Sequence, residues 1–245
     1  MELLLKIDNN SKKSINNIIP KLIKFGFEYE YNFIITSSHK ISLEQLFISH
    51  KKTFSIKKAC EMVLNTLTSL ELLHNNNIIH RDINPKVLSL ESDGKIKFIH
   101  LGFWKYFRNF RKNNKHIEFN TYKKMIGKNI IFGSVNNLIG FELSRRDDLQ
   151  SLSYMLIYLI KGELPWDNIN IKNSQEKIKV ILDMKKNIKN EKLTLGLPNE
   201  IKLFIDYTSK LKFEEEPNYN YLKKLIMDVI NQKDSEKNYY FNLEK

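Results

Sequence analysis

The chain has 245 residues, 42% of them hydrophobic, and a formal net charge of +12. That length supports one well-developed core and excludes several large domains. The single cysteine, Cys60, excludes a disulfide framework, and no apolar run reaches the roughly 18 residues a membrane helix needs.

The opening Met-Glu-Leu-Leu-Leu-Lys has an apolar stretch too short, and an acid too early, for a secretory signal. An intracellular protein, of cytoplasm or nucleus, is therefore expected. A basic chain is drawn to acidic partners. Its lysines, however, are scattered in short clusters such as Lys12-Lys13 and Lys185-Lys186. No nucleic-acid motif accompanies them, so specific nucleic-acid binding is not expected.

In chain order, Leu3–Ile7 and Phe33–Ile35 read as strands, with Pro20 and Gly26 between them. From Ser55 to His74, Ile56, Ala59, Cys60, Val63, Leu67, Leu70 and Leu73 recur at three- and four-residue steps, the signature of an amphipathic helix capped by Ser55. Phe54 is placed to staple against Ala59. Val87–Leu90 and Ile96–Ile99 flank an Asp93-Gly94 step and predict a small hairpin. Asp147–Lys161 is apolar all round, which predicts a buried helix stopped by Gly162, with Pro165 just beyond. Two more amphipathic helices are expected at about Asn199–Leu211 and Tyr219–Asn231, followed by a charged tail after Lys233.

Several short motifs stand in one order along this frame. They are Ser42-Leu43-Glu44-Gln45-Leu46-Phe47, His80-Arg81-Asp82, Ser134-Val135-Asn136, Ser144-Arg145-Arg146-Asp147-Asp148 and Leu164-Pro165-Trp166. Leu211-Lys212-Phe213-Glu214-Glu215 then runs on to Pro217-Asn218-Tyr219. Together they resemble the casein kinase I family of protein kinases, from about Tyr31 to Ile230. The poxviral and vaccinia-related kinases share the Ser-Arg-Arg signature. The resemblance implies an α+β kinase-like fold, with an abbreviated β-rich N-lobe (residues 1–40), a helical C-lobe (41–232) and a charged tail (233–245).

The same resemblance implies a damaged site. Asp82 matches the acid that accepts the substrate proton. Asn84 stands where the family has a phosphate-contacting lysine, and Val87 replaces a magnesium-binding asparagine. The Asp-Phe-Gly triplet appears as His100-Leu101-Gly102. Magnesium prefers oxygen ligands, which neither valine nor histidine offers. His100 is expected as a polar residue at a strand end with its ring bonded locally, because no companion His or Cys lies at zinc spacing. No glycine precedes Gly26, so no glycine-rich loop covers phosphates ahead of Lys6, the candidate third-strand lysine. No glutamate between Asp8 and Phe27 can orient that lysine, and the hinge segment Thr36-Ser37-Ser38-His39 is polar for an adenine pocket.

His80, Arg81 and Asp148 are expected in structural roles, with Asp148 bonding the backbone of the His-Arg-Asp loop. In the family's anion site, Ile131 stands near the arginine position while Lys177 keeps a basic one; the run Lys177, Lys179, Lys185 and Lys186 reads as a solvated helix face.

The expected function is a catalytically impaired pseudokinase that binds a protein partner, acidic or phosphorylated, and needs no cofactor. The alternative is a residual serine/threonine kinase using ATP and magnesium, with Asp82 as base. A third reading is a basic structural subunit of a larger assembly.

Overall fold

The computed structural model describes residues 15–91, 94–109, 113–121, 124–127 and 129–232. The Leu3–Ile7 strand, Lys6 and the tail after Lys233 lie outside these residues. The first described element is a hairpin of β1 (Leu22–Glu28) and β2 (Tyr31–Thr36), paired antiparallel and turned at Tyr29, where φ is 52°. Gly26 is therefore not a break between strands but a residue inside one. Its register partner Phe33 lays its ring over it, and a β-carbon there would fall 2.6 Å from that ring.

A three-stranded sheet follows, built from β3 (Ile41–Ser42), β5 (Leu88–Leu90) and β6 (Ile96–Phe98) in the order β3-β5-β6. Its β5–β6 half is the predicted hairpin, with Leu88 opposite Phe98. Strand β4 (Ile78–Ile79) pairs with β7 (Lys105–Tyr106), and β8 (Arg108–Asn109) with β9 (Lys115–His116).

Helix α1 (Leu43–Ser49) opens on a capping box in which Ser42 and Gln45 satisfy each other's backbone donors. Helix α2 (Ile56–Asn75) begins as predicted, with the Ser55 hydroxyl accepting from Lys58 N–H. It buries the expected stripe from Ala59 to Leu73, together with His74. Phe54 is buried too, with its ring 5.3 Å from that of Phe47.

After the short α3 (Val135–Ile139) comes α4 (Arg145–Lys161), which begins two residues earlier than its apolar run. The charged first turn is itself buried, because Arg145, Asp147 and Asp148 find partners inside the protein. Gly162 ends the helix at φ 86°, and a β-carbon there would lie 2.8 Å from Lys52 O.

Helix α5 (Ser174–Asn187) and the one-turn α6 (Asn190–Leu193) precede α7 (Asn199–Lys210) and α8 (Tyr219–Asn231). Helix α4 is the axis of the core: α2 and α7 pack on it, and α8 packs on α2 and α7. Leu152, Met155, Leu156 and Leu159 of α4 are fully buried, each contributing roughly 1.5–3 kcal/mol by leaving water. This frame holds the His80–Val87 segment between α4 and the β5–β6 hairpin.

Candidate functional site

The segment between β4 and β5 has little regular structure, so its backbone donors need side-chain acceptors. Asp148, in the first turn of α4, supplies them. Its Oδ2 accepts from His80 N–H and its Oδ1 from Arg81 N–H, both at 2.7 Å. His74 of α2 adds a ring bond to Oδ2 at 2.9 Å, and its other nitrogen meets the Tyr219 hydroxyl at 2.5 Å. Burial pushes the Asp148 carboxyl up, but the bond and charge of His74 and the His80 contacts outweigh it and hold the group below the ordinary range.

This grip keeps Arg81 at φ 69°, a left-handed backbone that costs a non-glycine residue about 1–2 kcal/mol. Arg81 Nε–H then donates to Phe103 O at 2.5 Å, fixing the chain beyond β6. His80 turns inward between Phe98 and Trp104, and burial lowers its pKa to about 4. The ring is therefore neutral at neutral pH, and its Nδ1 accepts from Asp82 N–H.

On the other side of the loop, Asp82 is half-buried. Asn84 Nδ2–H donates to both the Asp82 carboxylate and its carbonyl, each at 3.1 Å. Asn129 makes a further side-chain bond to that carboxylate and donates to Ile83 O at 3.2 Å. Burial raises the Asp82 carboxyl, opposed by these amides and by the nearby His100.

Asn84 is itself buried. Its Oδ1 accepts from Lys86 N–H and caps the 3-10 turn Pro85–Val87. The whole amide is thus consumed within its own loop. Val87 is 4% exposed and belongs to the apolar core. His100 lies two residues beyond β6, exposed, with no ring hydrogen bond to another described residue, so the local bond expected for it is not there. No cluster of His, Cys, Asp or Glu suited to a metal ion occurs among the described residues. In the segment read as the hinge, Ser37 exchanges two hydrogen bonds with Lys21: its N–H donates to Lys21 O at 2.8 Å and its hydroxyl accepts from Lys21 N–H at 3.0 Å.

Two sequence motifs prove to be halves of one hydrogen-bonded unit. Asp147 accepts from Ser134 Oγ–H, Asn136 Nδ2–H and Ser144 N–H at 2.7–2.9 Å. Ser-Val-Asn is thereby tied to Ser-Arg-Arg-Asp. A profile of the protein kinase domain matches residues 5–237. A protein of Encephalitozoon cuniculi named as a probable casein kinase I homologue is 35% identical over 219 residues, 87% of this chain and 71% of its own length. Casein kinase I homolog 2 of Schizosaccharomyces pombe is 31% identical over 217 residues, 86% of this chain but 49% of its own length. The chain belongs to the casein kinase I family of protein kinases.

Within that family frame, Lys185 corrects the reading of the lysine run. It is not solvated: only 5% exposed, it donates to the carbonyls of Ile130, Ile131 and Gly133 at 2.6–3.0 Å and lies 4.7 Å from the Tyr154 ring centre. Burial drives its pKa well below the usual value. Three carbonyl acceptors nevertheless match the three protons of an ammonium, which argues for the charged form. Ile131, which the resemblance puts near the family's arginine position, is held by its carbonyl, which accepts from both Lys185 and the Trp166 indole.

Sequence reasoning missed Asn129 as a partner of the His80–Val87 loop and Lys185 as the support of the 130–133 carbonyls. A signal existed for Lys185, since it falls on the stripe Ile178, Ile181, Lys185 of one helix face. Asn129 offered none.

Proposed function

We propose that this chain has given up conventional phosphoryl transfer and acts as an intracellular binding or scaffold protein, presenting a casein kinase I surface to a protein partner. The observation that carries the reading is the inward commitment of Asn84. Phosphoryl transfer depends on positioned phosphates, magnesium and stabilising charge. At the three positions that would supply charge and metal ligands stand an amide spent inside its own loop, an isopropyl group in the core and an exposed imidazole. These residues do not fit a magnesium–nucleotide site.

A second reading, a residual serine/threonine kinase using ATP with Asp82 as base, draws support from that carboxylate. It is half-buried with its pKa raised, the direction a general base requires.

Thermal denaturation with millimolar ATP and magnesium separates the two. No metal-dependent rise in melting temperature is expected, whereas a ligand at one hundred times its dissociation constant would add about 2.7 kcal/mol. A clear metal-dependent shift would overturn the proposal. Restoring the family residues together (Asn84→Lys, Val87→Asn, His100→Asp) should leave phosphate transfer to casein near background. Robust transfer that disappears on adding Asp82→Ala would favour the second reading.

A further inference from the structure

The first turn of α4, the last turn of α5 and the last turn of α7 enclose a polar cavity of about 370 Å³. Asn136, Arg146, Gln150, Lys186 and Ser209 line it, with Asp147 and Lys185 in its wall. The Arg146 guanidinium lies 5.5 Å over the Phe213 ring, and its Nε is buried with no hydrogen-bond acceptor among the described residues. Lys186 is exposed on α5. Gln150 uses its oxygen to accept from Val135 N–H, which leaves its NH₂ group as a donor.

The wall also carries one carboxylate. Asp147 is 3.7 Å from Arg146 Nε, but both its oxygens accept hydrogen bonds from Ser134, Asn136 and Ser144. Lys185 is likewise spent on three carbonyls. The Ser209 hydroxyl donates to Asp206 O, so what remains facing the cavity is two cations and the Gln150 amide.

We propose that this cavity binds a phosphate monoester, presented as phosphoserine or phosphothreonine on a protein partner. A tetrahedral dianion with three acceptor oxygens matches a guanidinium, an ammonium and an amide better than a planar carboxylate does. No aromatic ring lines the cavity, so it lacks the stacking surface that single-stranded nucleic acid uses. Neither Ile131 nor Lys177 takes part, which separates it from the anion-site positions named above.

The identity of the partner rests on the scaffold reading; the chemistry of the cavity does not. The test is amide-resolved NMR of the full chain, titrated with a phosphoserine peptide, its unphosphorylated twin, inorganic phosphate and a single-stranded oligonucleotide. The phosphopeptide should shift Asn136, Gln150, Lys186 and Ser209 saturably and bind more tightly than inorganic phosphate. Lys186→Glu should weaken it about tenfold or more, in line with the loss of a charge-assisted contact, whereas Lys177→Glu should change affinity little.

Arg146→Gln should act as Lys186→Glu does. If it unfolds through loss of the Phe213 contact, the exposed Lys186 decides alone. Equal binding of the unphosphorylated peptide, phosphate or oligonucleotide, or indifference to Lys186→Glu, would each overturn the proposal. None of those results touches the scaffold reading, which stands or falls on nucleotide binding.

Discussion

The surroundings of the His80–Val87 loop differ from one residue to the next. On the buried side, Asp148, His74 and Tyr219 form a continuous hydrogen-bonded support beneath His80 and Arg81. Elsewhere Asn84 is bonded within its own loop, Val87 sits in the apolar core and His100 is exposed, and in the proposed reading these three positions no longer serve charge or metal. The difference is physical. Removing a buried acceptor leaves donors stranded in a medium that cannot solvate them, at about 1–3 kcal/mol each. The residue types at 84, 87 and 100 cost the fold little, because the amide closes on its own loop, the isopropyl group joins the core and the imidazole meets water. In the proposed reading, the loop has outlasted its chemistry.

The largest test of that contrast is Asp148→Ala. It strands His80 N–H, Arg81 N–H and the His74 ring together, and should cost on the order of 3–5 kcal/mol in urea denaturation. A loss under 1 kcal/mol would show that the buried side is not the support described here.

The pH dependence comes next. His80 titrates near 4 in the fold and near 6.5 when unfolded, so the unfolded chain binds more protons between these values. Stability from the neutral ring is full above about pH 6.5 and falls by roughly 3 kcal/mol as pH drops to 4. Asp148, with its depressed pKa, adds a further loss at still lower pH. His80→Asn should flatten the slope between pH 4 and 6.5, and an unchanged slope would locate the effect elsewhere.

Lys185→Met should cost about 1–3 kcal/mol, since three carbonyls lose their donor while the aliphatic stem is kept. Faster amide exchange at 129–133 than elsewhere would place the damage in the loop that carries Asn129.

The smallest effect belongs to Asp82→Asn. Burial already penalises this carboxylate, so a neutral isostere should alter stability by no more than about 0.5 kcal/mol in either direction. A large loss would make Asp82 part of the buried support and erase the contrast.

Much of this architecture was legible in the chain itself. The stripe from Ala59 to Leu73, the all-apolar run after Asp147 and the Gly162 stop predicted α2 and α4 because helical periodicity and capping are local properties. The ordered motifs named the family, and the residue types at 84, 87 and 100 are the ground for the proposed loss of charge and ligands. Strand β1 was hidden by Gly26, a residue that reads as a break until Phe33 is seen lying over it from the partner strand. Helix α5 was read as a solvated face of lysines, which hid its buried side of Ile181 and Lys185.

What only the tertiary structure decided was the direction of individual polar groups. Nothing local says that Asn84 folds back onto Asp82, that Asn129 reaches the same carboxylate across the fold, or that three carbonyls wait in the core for Lys185. Each outcome depends on where acceptors from distant segments come to lie, and a buried polar group goes wherever its hydrogen bonds can be made.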